Sequence, residues 1–405
     1  MNKSTAGTQK TFNIIYFGDH WDEYLRRRQQ IMLKLSGYEA VSKAVYVELP
    51  LTIFSFFKFL SGKALPKVKQ AWKRVLRHGL LCRQGKVWIL TPITLFPYIP
   101  IRIVQDINNR ITYWLHFLIL RFYKKKLKLK GSILWITHPF AADFINKLDE
   151  SMLCYDRTED FAYKHDYSAL LKRQMRKNDS KIIDKADLIF VQTKEMLKNF
   201  STLKKNVYLM PNAVDATWFL NTATHNPDMQ NIPRPILGYC GNINSRIDFE
   251  LLRYIVSGHP EWSFVIIGAL TPGTNRLSLF KDFKNMHLLG VKSYRKLPAY
   301  IKNFDVCLIP HKIDRFTESQ SPLKLFDYLA AGRPVVSTNV AGVRDYNDIV
   351  KIGKNKEEFL AQIEEILTSD PQENIQKRQT FARQNSWDRR VEEIYQVLTQ
   401  HVHSL

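Results

Sequence analysis

Residues Thr317–Thr338 read TESQSPLKLFDYLAAGRPVVST. A polar run ends in Ser-Pro, an amphipathic segment follows, and Gly-Arg-Pro leads into the apolar run at Val335. Ser321 suits a helix N-cap, and Pro322 suits the first helical position, where a missing N–H costs nothing. Leu323, Phe326, Leu329 and Ala330 recur at three- and four-residue spacing, which predicts one buried helix face. Gly332 stops the helix, and Pro334 opens a short strand behind it. A helix start offers free N–H groups, and Lys324 adds positive charge in the first turn, where capping alone favours an acid. The stretch therefore predicts a helix–strand unit of an α/β sheet, with either an ordinary cap or a phosphate site at Ser321–Lys324.

The same alternation extends upstream. The strand-like run ILGYCG (Ile236–Gly241) is followed by a helical IDFELLRYIVSG (Ile247–Gly258), then SFVIIG (Ser263–Gly268) and NMHLLG (Asn285–Gly290). A helical YRKLPAYIKNF (Tyr294–Phe304) and the strand DVCLIP (Asp305–Pro310) complete the scheme. In the first half a strand at Phe12–Phe17 leads through the polar loop GDHWDEY into an Arg-rich helix, RRRQQIMLKLS. Strand-like runs return at Ala44–Leu49, Val87–Leu90, Ile133–Thr137, Met152–Tyr155 and Leu188–Gln192. Strands alternating with helices predict parallel sheets covered on both faces. Pro211-Asn212-Ala213 marks a turn and a hinge. The expected architecture is α/β, two Rossmann-like domains facing a cleft. Residues 1–208 form the first, 209–385 the second, and an amphipathic helix in 386–405 packs back across the junction. Neither half carries a GxGxxG fingerprint, and ligands of such sheets sit at the carboxyl ends of the strands.

Composition narrows the class. Of 405 residues, 45% are hydrophobic and 24% charged, as in a soluble globular chain. Val87–Val104 is the longest apolar candidate, but Pro92, Pro97, Pro100 and Arg102 interrupt it, so strand and loop are expected there instead of a membrane span. The N-terminal residues do not resemble a signal peptide. Cys82, Cys154, Cys240 and Cys307 are scattered with no CxxC pair, and read as reduced core residues of a cytosolic protein. Residues 1–205 hold 37 Lys/Arg against 17 Asp/Glu, while residues 206–405 hold 23 against 21. So one-sided a field implies an anionic partner for the first half.

The motifs LMPNAVD (Leu209–Asp215), ILGYCGNI (Ile236–Ile243), NMHLLG, LPAYIKNFDVCLIPH (Leu297–His311) and SPLKLFDYLAAGRPVVST resemble those of GT-B fold glycosyltransferases of the large retaining group. Trp21 with RRRQQ, THPF and CYDRTEDF extend the resemblance to the branch containing teichuronic acid biosynthesis glycosyltransferases of bacterial envelopes. The resemblance implies a nucleoside diphosphate sugar donor held by the second domain, its pyrophosphate at Ser321, Pro322, Leu323 and Lys324. It also implies donor contacts from Gly241, Asn242 and His311. Such enzymes carry two acids eight positions apart, one for the ribose and one for the sugar or the helix. Here the second is Asp327, the eighth position before it is Ser319, and the nearest acid is Glu318. Glu318 is then the ribose candidate or a solvated loop acid. Of the basic pair that usually follows the first strand only Arg246 is present. It either meets the pyrophosphate or pairs with Asp248 or Glu250.

Glycosyl transfer needs a stabilised leaving diphosphate and an activated acceptor hydroxyl. Positive charge and helix N–H groups can serve the first need without a metal, and no Asp-x-Asp lies near the donor motifs. Neither metal nor other cofactor is expected. An inverting enzyme needs a general base, whereas a retaining one can use the leaving phosphate. His20, His138 and Asp156 follow strands of the first domain, with Asp160 nearby; the resemblance makes Asp156 the leading base candidate, since by order of elements it falls where such enzymes place a residue beside the donor sugar. The basic segments FSFFKFLSGKALPKVKQAWKRVL and YWLHFLILRFYKKKLKLKG interleave charge with aromatic residues and match no nucleic-acid motif. They suit an anionic lipid leaflet, where polysaccharide acceptors on lipid carriers would be reached. The sequence thus predicts a cytoplasmic glycosyltransferase, peripheral on the inner face of the membrane, acting on a lipid-linked saccharide. The alternatives are a non-catalytic sugar-nucleotide-binding protein and a GT-B-fold sugar-nucleotide epimerase.

Overall fold

Buried apolar runs become parallel strands throughout the computed structural model, which describes residues 11–21, 26–95, 102–204, 206–271, 280 and 282–403. Part of the loop expected at GDHWDEY, and most of the N-terminal stretch compared with a signal peptide, lie outside the described residues. The first domain contains β1 (Phe12–Gly18), β2 (Val41–Glu48), β3 (Leu51–Thr52), β4 (Leu81–Gln84), β5 (Val87–Leu90), β6 (Ile93–Thr94), β7 (Ser132–Ile136), β8 (Glu150–Arg157), β9 (Leu188–Val191) and β10 (Val207–Leu209). Its large sheet has the order β10-β9-β8-β7-β1-β2-β5-β4, parallel except for the β4–β5 pair. Strands β3 and β6 form a small parallel pair beside it. The second domain contains β11 (Ile236–Cys240), β12 (Ser263–Ile267), β13 (Met286–Gly290), β14 (Val306–Ile309), β15 (Val335–Thr338) and β16 (Lys351–Gly353), in the order β13-β12-β11-β14-β15-β16. β7, β11 and β12 are buried along their whole length, as parallel strands covered on both faces must be.

Two corrections concern helices. The helix after Ser-Pro runs Leu323–Ala330 with Pro322 at its cap, so Ser321 lies outside it and its side chain is used elsewhere. A 25-residue helix, Arg102–Lys126, takes in the end of the interval expected to be strand and loop.

Two chain segments join the domains side by side. Val214 pairs with Ser386; its N–H donates to Asn385 O and its carbonyl accepts from Trp387 N. Beyond this crossing the helix Trp387–His403 returns to the first domain. Trp387, Val391, Ile394 and Leu398 enter the core formed by Ile31, Met32 and Leu35 of the helix Arg27–Leu35, and Tyr38 stacks on Tyr395 at 4.0 Å.

Candidate functional site

The site begins where β11 ends. Gly241 has φ +146°, and a Cβ there would stand 3.1 Å from the Lys324 amine, so the close approach of this lysine needs glycine. Lys324 reaches from the first turn of the helix Leu323–Ala330. Its Nζ lies 3.8 Å from the Tyr239 ring centroid and 3.2 Å from His311 Nε2. Burial, then the nearby Arg246 guanidinium, holds the amine well below the ordinary lysine range. Burial, then Lys324 and Arg246, pushes the His311 imidazole down in the same way, so it stays neutral. Arg246 hydrogen-bonds to Asn244 Oδ1 at 3.2 Å and Gln320 Oε1 at 3.1 Å, not to Asp248 or Glu250. Asp248 instead caps the helix Phe249–Gly258. Asn242 follows Gly241 in the exposed loop, and its carbonyl accepts from Tyr239 OH. Like-charged groups crowded at a strand-end cleft are what a polyanion would relieve.

The acidic candidates are engaged elsewhere. Glu318 accepts from Ala341 N at 3.0 Å and pairs with Arg344 at 2.8 Å, so it is an anchored side chain and not a solvated loop acid. Ser319 Oγ donates to Phe316 O and accepts from Asp160 N of the first domain at 2.8 Å. Asp327 is buried, its carboxylate accepts from Tyr294 OH at 3.0 Å, and burial pushes its pKa up to about 7. Ser321 also turns to the first domain: its N–H donates to Gln192 Oε1 at 3.2 Å and its Oγ accepts from Asn212 N. The anion-facing donors at this helix start are therefore those of Leu323 and Lys324, since Pro322 has none.

In the first domain the leading base candidate is corrected. Asp156 is fully buried, and both carboxylate oxygens receive the Arg27 guanidinium, at 2.9 and 3.0 Å. Arg27 also donates to Pro211 O, so the pair braces the hinge and offers no base to the cleft. Asp160 is likewise taken, by Arg157 at 3.1 Å and Arg315 at 3.4 Å. His138 accepts from Phe140 N and sits between the Phe140 and Phe161 rings; burial lowers its pKa to about 3, too weak for a base near neutrality. His20 differs. Its Nδ1 has no hydrogen-bond partner and lies 3.8 Å from Glu48 Oε2 at the end of β2. Glu48 is buried and gathers Trp21 N, Arg74 and Thr91 Oγ1. At 3.8 Å the contact is not a hydrogen bond, so Glu48 supplies a nearby negative charge and does not fix the imidazole's orientation.

Residues that sequence reasoning missed close the cleft. Gln320 donates to Glu159 Oε2 and accepts from Arg246, linking the basic cluster to the CYDRTEDF loop. His165 meets Asp314 at 2.8 Å and Ser245 at 3.2 Å. The strand-end position of Glu48 was readable; the contacts across the cleft, joining residues about 150 positions apart, were not. A cavity of about 630 Å³ is lined by His311 together with Asp248, Glu250, Arg253, Lys354 and Lys356. Among the described residues no group of three or more His, Cys, Asp or Glu is arranged to hold a metal ion, and no helix is long and apolar enough to cross a membrane.

Residues 234–369 match the family model described as Glycosyl transferases group 1. A curated relative, "Putative teichuronic acid biosynthesis glycosyltransferase TuaH" of Bacillus subtilis (strain 168), is 26% identical over 234 residues, 55% of this chain. The match spans 59% of that relative's length. Among solved structures, the sucrose-phosphate synthase of Thermosynechococcus elongatus superposes with a TM-score of 0.71 at 12% identity, covering 97% of this chain and 100% of that one. Anabaena HepE in complex with UDP-glucose gives 0.64 at 11% identity, covering 96% and 99%. An E. coli structure described as trehalose-6-phosphate bound with UDP-2-fluoro glucose gives 0.67 at 12% identity, covering 96% and 99%. The chain thus has the GT-B fold, and residues 234–369 within it are similar to the glycosyl transferases group 1 family.

Proposed function

We propose that this protein is a glycosyltransferase that moves a sugar from a nucleoside diphosphate to a lipid-linked or growing cell-envelope saccharide, at the cytoplasmic face of the membrane. The observation that carries this reading is the cluster of Lys324, Arg246 and His311 packed around Gly241 at a strand-end cleft. The family match and the nucleotide sugars in similarly folded proteins support it. Lys324, Arg246 and the N–H groups of Leu323 and Lys324 would stabilise the leaving diphosphate, with no metal required. His20, with the Glu48 carboxylate 3.8 Å away, would take the acceptor proton if configuration inverts; if it is kept, the leaving phosphate serves.

Each nucleoside diphosphate sugar of a panel is incubated with the protein, with and without bacterial membranes and a chelator, and release of nucleoside diphosphate is followed. The expected result is release that needs membranes, survives chelation and fails in Lys324→Ala. Release without membranes would instead indicate an epimerase. A non-catalytic binding protein is the second reading, favoured by the engagement of Glu318 with Ala341 and Arg344. It predicts thermal stabilisation by a nucleotide sugar with no release under any condition.

A further inference from the structure

The helix Ile53–Leu60, sequence IFSFFKFL, has six apolar side chains in eight residues, yet none of its residues is buried. It is nonetheless firmly held. Thr52 and Ser55 cap each other reciprocally, and Trp72 Nε1 of the helix Pro66–His78 donates to Ser55 Oγ at 2.9 Å. Phe56 turns inward onto Trp72, with ring centroids 4.8 Å apart. The opposite face carries Ile53, Phe54, Phe57 and Leu60, with Phe57 62% and Leu60 64% exposed. A rigid helix that holds four large apolar side chains in water is poorly placed for a soluble surface.

A second stripe lies on the helix Arg102–Lys126. Ile111, Trp114, Leu118 and Phe122 recur every three or four residues and are all exposed, while Thr112, His116 and Leu120 of the same helix are buried. The pairing of β3 with β6 sets the two helices in one region: Ile53 follows β3 directly, and the long helix packs against β6. Leu95, just after β6, is exposed there too. Cations accompany both stripes: Lys58, Lys63, Lys69 and Lys73 near the first, Arg121 and Lys125 along the second, all exposed. No acidic residue occurs between Glu48 and Asp106 or between Asp106 and Asp143.

We propose that these two stripes form one lipid-docking surface, in which Phe54, Phe57, Trp114 and Phe122 enter an anionic bilayer while the flanking lysines meet its headgroups. The proposal rests on the membrane-acceptor reading above but assigns the contact to particular side chains. Charge selects the occupant. A second copy of this strongly basic chain would be repelled, whereas an anionic leaflet is attracted and accepts aromatic rings at its interface.

The test is co-sedimentation with phosphatidylcholine vesicles with and without phosphatidylglycerol. The full chain should bind the anionic vesicles and be released as salt rises. Phe54→Ser with Phe57→Ser, and separately Trp114→Ser with Phe122→Ser, should each weaken partitioning by about tenfold or more. Lys63→Gln, Lys69→Gln and Lys73→Gln together should weaken it about tenfold or more at low salt and little at high salt. Brominated lipid should quench fluorescence that is missing from Trp114→Phe. Melting curves and nucleoside diphosphate binding should match the parent, because these side chains are exposed and belong to the other domain. If the parent ignores anionic vesicles, both the proposal and the membrane reading fall. If the parent binds and the serine variants bind equally, only the assigned surface falls. Self-association abolished by Phe54→Ser with Phe57→Ser would replace the lipid by a second copy and overturn the proposal.

Discussion

Lys324 and Asp327 lie on one helix turn and do opposite things. The amine of Lys324 is held below its ordinary pKa in a crowd of basic groups, so a diphosphate arriving there both gains a charged partner and restores the proton. Lys324→Ala should weaken nucleoside diphosphate binding by about 1.5–3 kcal/mol and leave nucleoside binding unchanged, as read by calorimetry. Equal losses for both ligands would make this lysine structural. Asp327 costs stability instead. Its folded pKa of about 7 exceeds the unfolded value, so its contribution is intact below about pH 4 and is lost as pH rises through 7. Asp327→Asn should therefore raise the unfolding free energy at pH 8 by about 1–3 kcal/mol and scarcely alter it at pH 4. No gain at pH 8 would show that Tyr294 compensates for the burial. The helix-start grammar pointed to Lys324, and the family resemblance to Arg246 and His311, but neither pointed to Tyr239, whose ring lies 3.8 Å from the Lys324 amine, because an apolar strand residue gives no sign of it.

At the scale of elements, strands and their order of function were legible because buried parallel strands must be continuous apolar runs, as Ile133–Ile136 and Ile236–Cys240 are. Side-chain partners were not. Asp156 looked like a base from its strand-end place and the family resemblance, yet Arg27, from an Arg triplet that reads as merely basic, neutralises it. Nor does periodicity tell a helix that meets solvent from one that meets the core. The helix Arg102–Lys126 shows this at His116, which is fully buried with neither ring nitrogen hydrogen-bonded and its pKa pushed down to about 3 by burial. A histidine held neutral in the fold stabilises above its unfolded pKa near 6.5, and that stability is lost as pH falls toward 3. Between pH 7.5 and 5 the loss reaches about 2 kcal/mol for such a group. In His116→Leu the fall in stability from pH 7.5 to 5 should shrink accordingly in denaturant titrations, and an unchanged fall would assign it to other groups such as His138. Gly342, in the short helix Ala341–Arg344, sets another local limit. A Cβ there would meet Gln320 O at 1.9 Å, so Gly342→Ala should displace the Gln320–Ser321 turn and weaken nucleoside diphosphate binding with Lys324 untouched. Binding equal to the parent's would show that the turn adjusts freely.

At the scale of the whole molecule, the two sheets face each other across a cleft that is closed by polar contacts and hinged on two adjacent strands of chain. The hinge is braced at Val214–Ser386 and at Arg27, whose guanidinium holds Asp156 and Pro211 together. The partly exposed closing contacts include His165 with Asp314, Arg315 with Asp160 and with the Tyr163 ring, and Gln320 with Glu159, beside the buried bonds of Ser319 with Asp160 and Ser321 with Gln192. Partly exposed pairs of this kind contribute about 0–1 kcal/mol each and are screened by salt, whereas the hinge packing is not. The closed form should therefore be the marginal feature and the two domain cores the robust ones. Removing two closing contacts in His165→Ala with Arg315→Ala should open the cleft without lowering the melting temperature of either domain. A compact chain of this length has a radius of gyration of about 21–22 Å, and small-angle scattering of the double variant should give a clearly larger value. A nucleoside diphosphate bound at Lys324 and Arg246 pulls on Gln320, and through it on Glu159, so saturating ligand should return the scattering curve toward the closed one. Turnover in the double variant should fall more than nucleoside diphosphate affinity, because the proposed base His20 sits on the first domain and the proposed donor cluster on the second, so transfer would need the cleft shut. Scattering that is indistinguishable from the parent's, with and without ligand, would mean that the hinge packing alone holds the domains and that the contacts across the cleft are incidental.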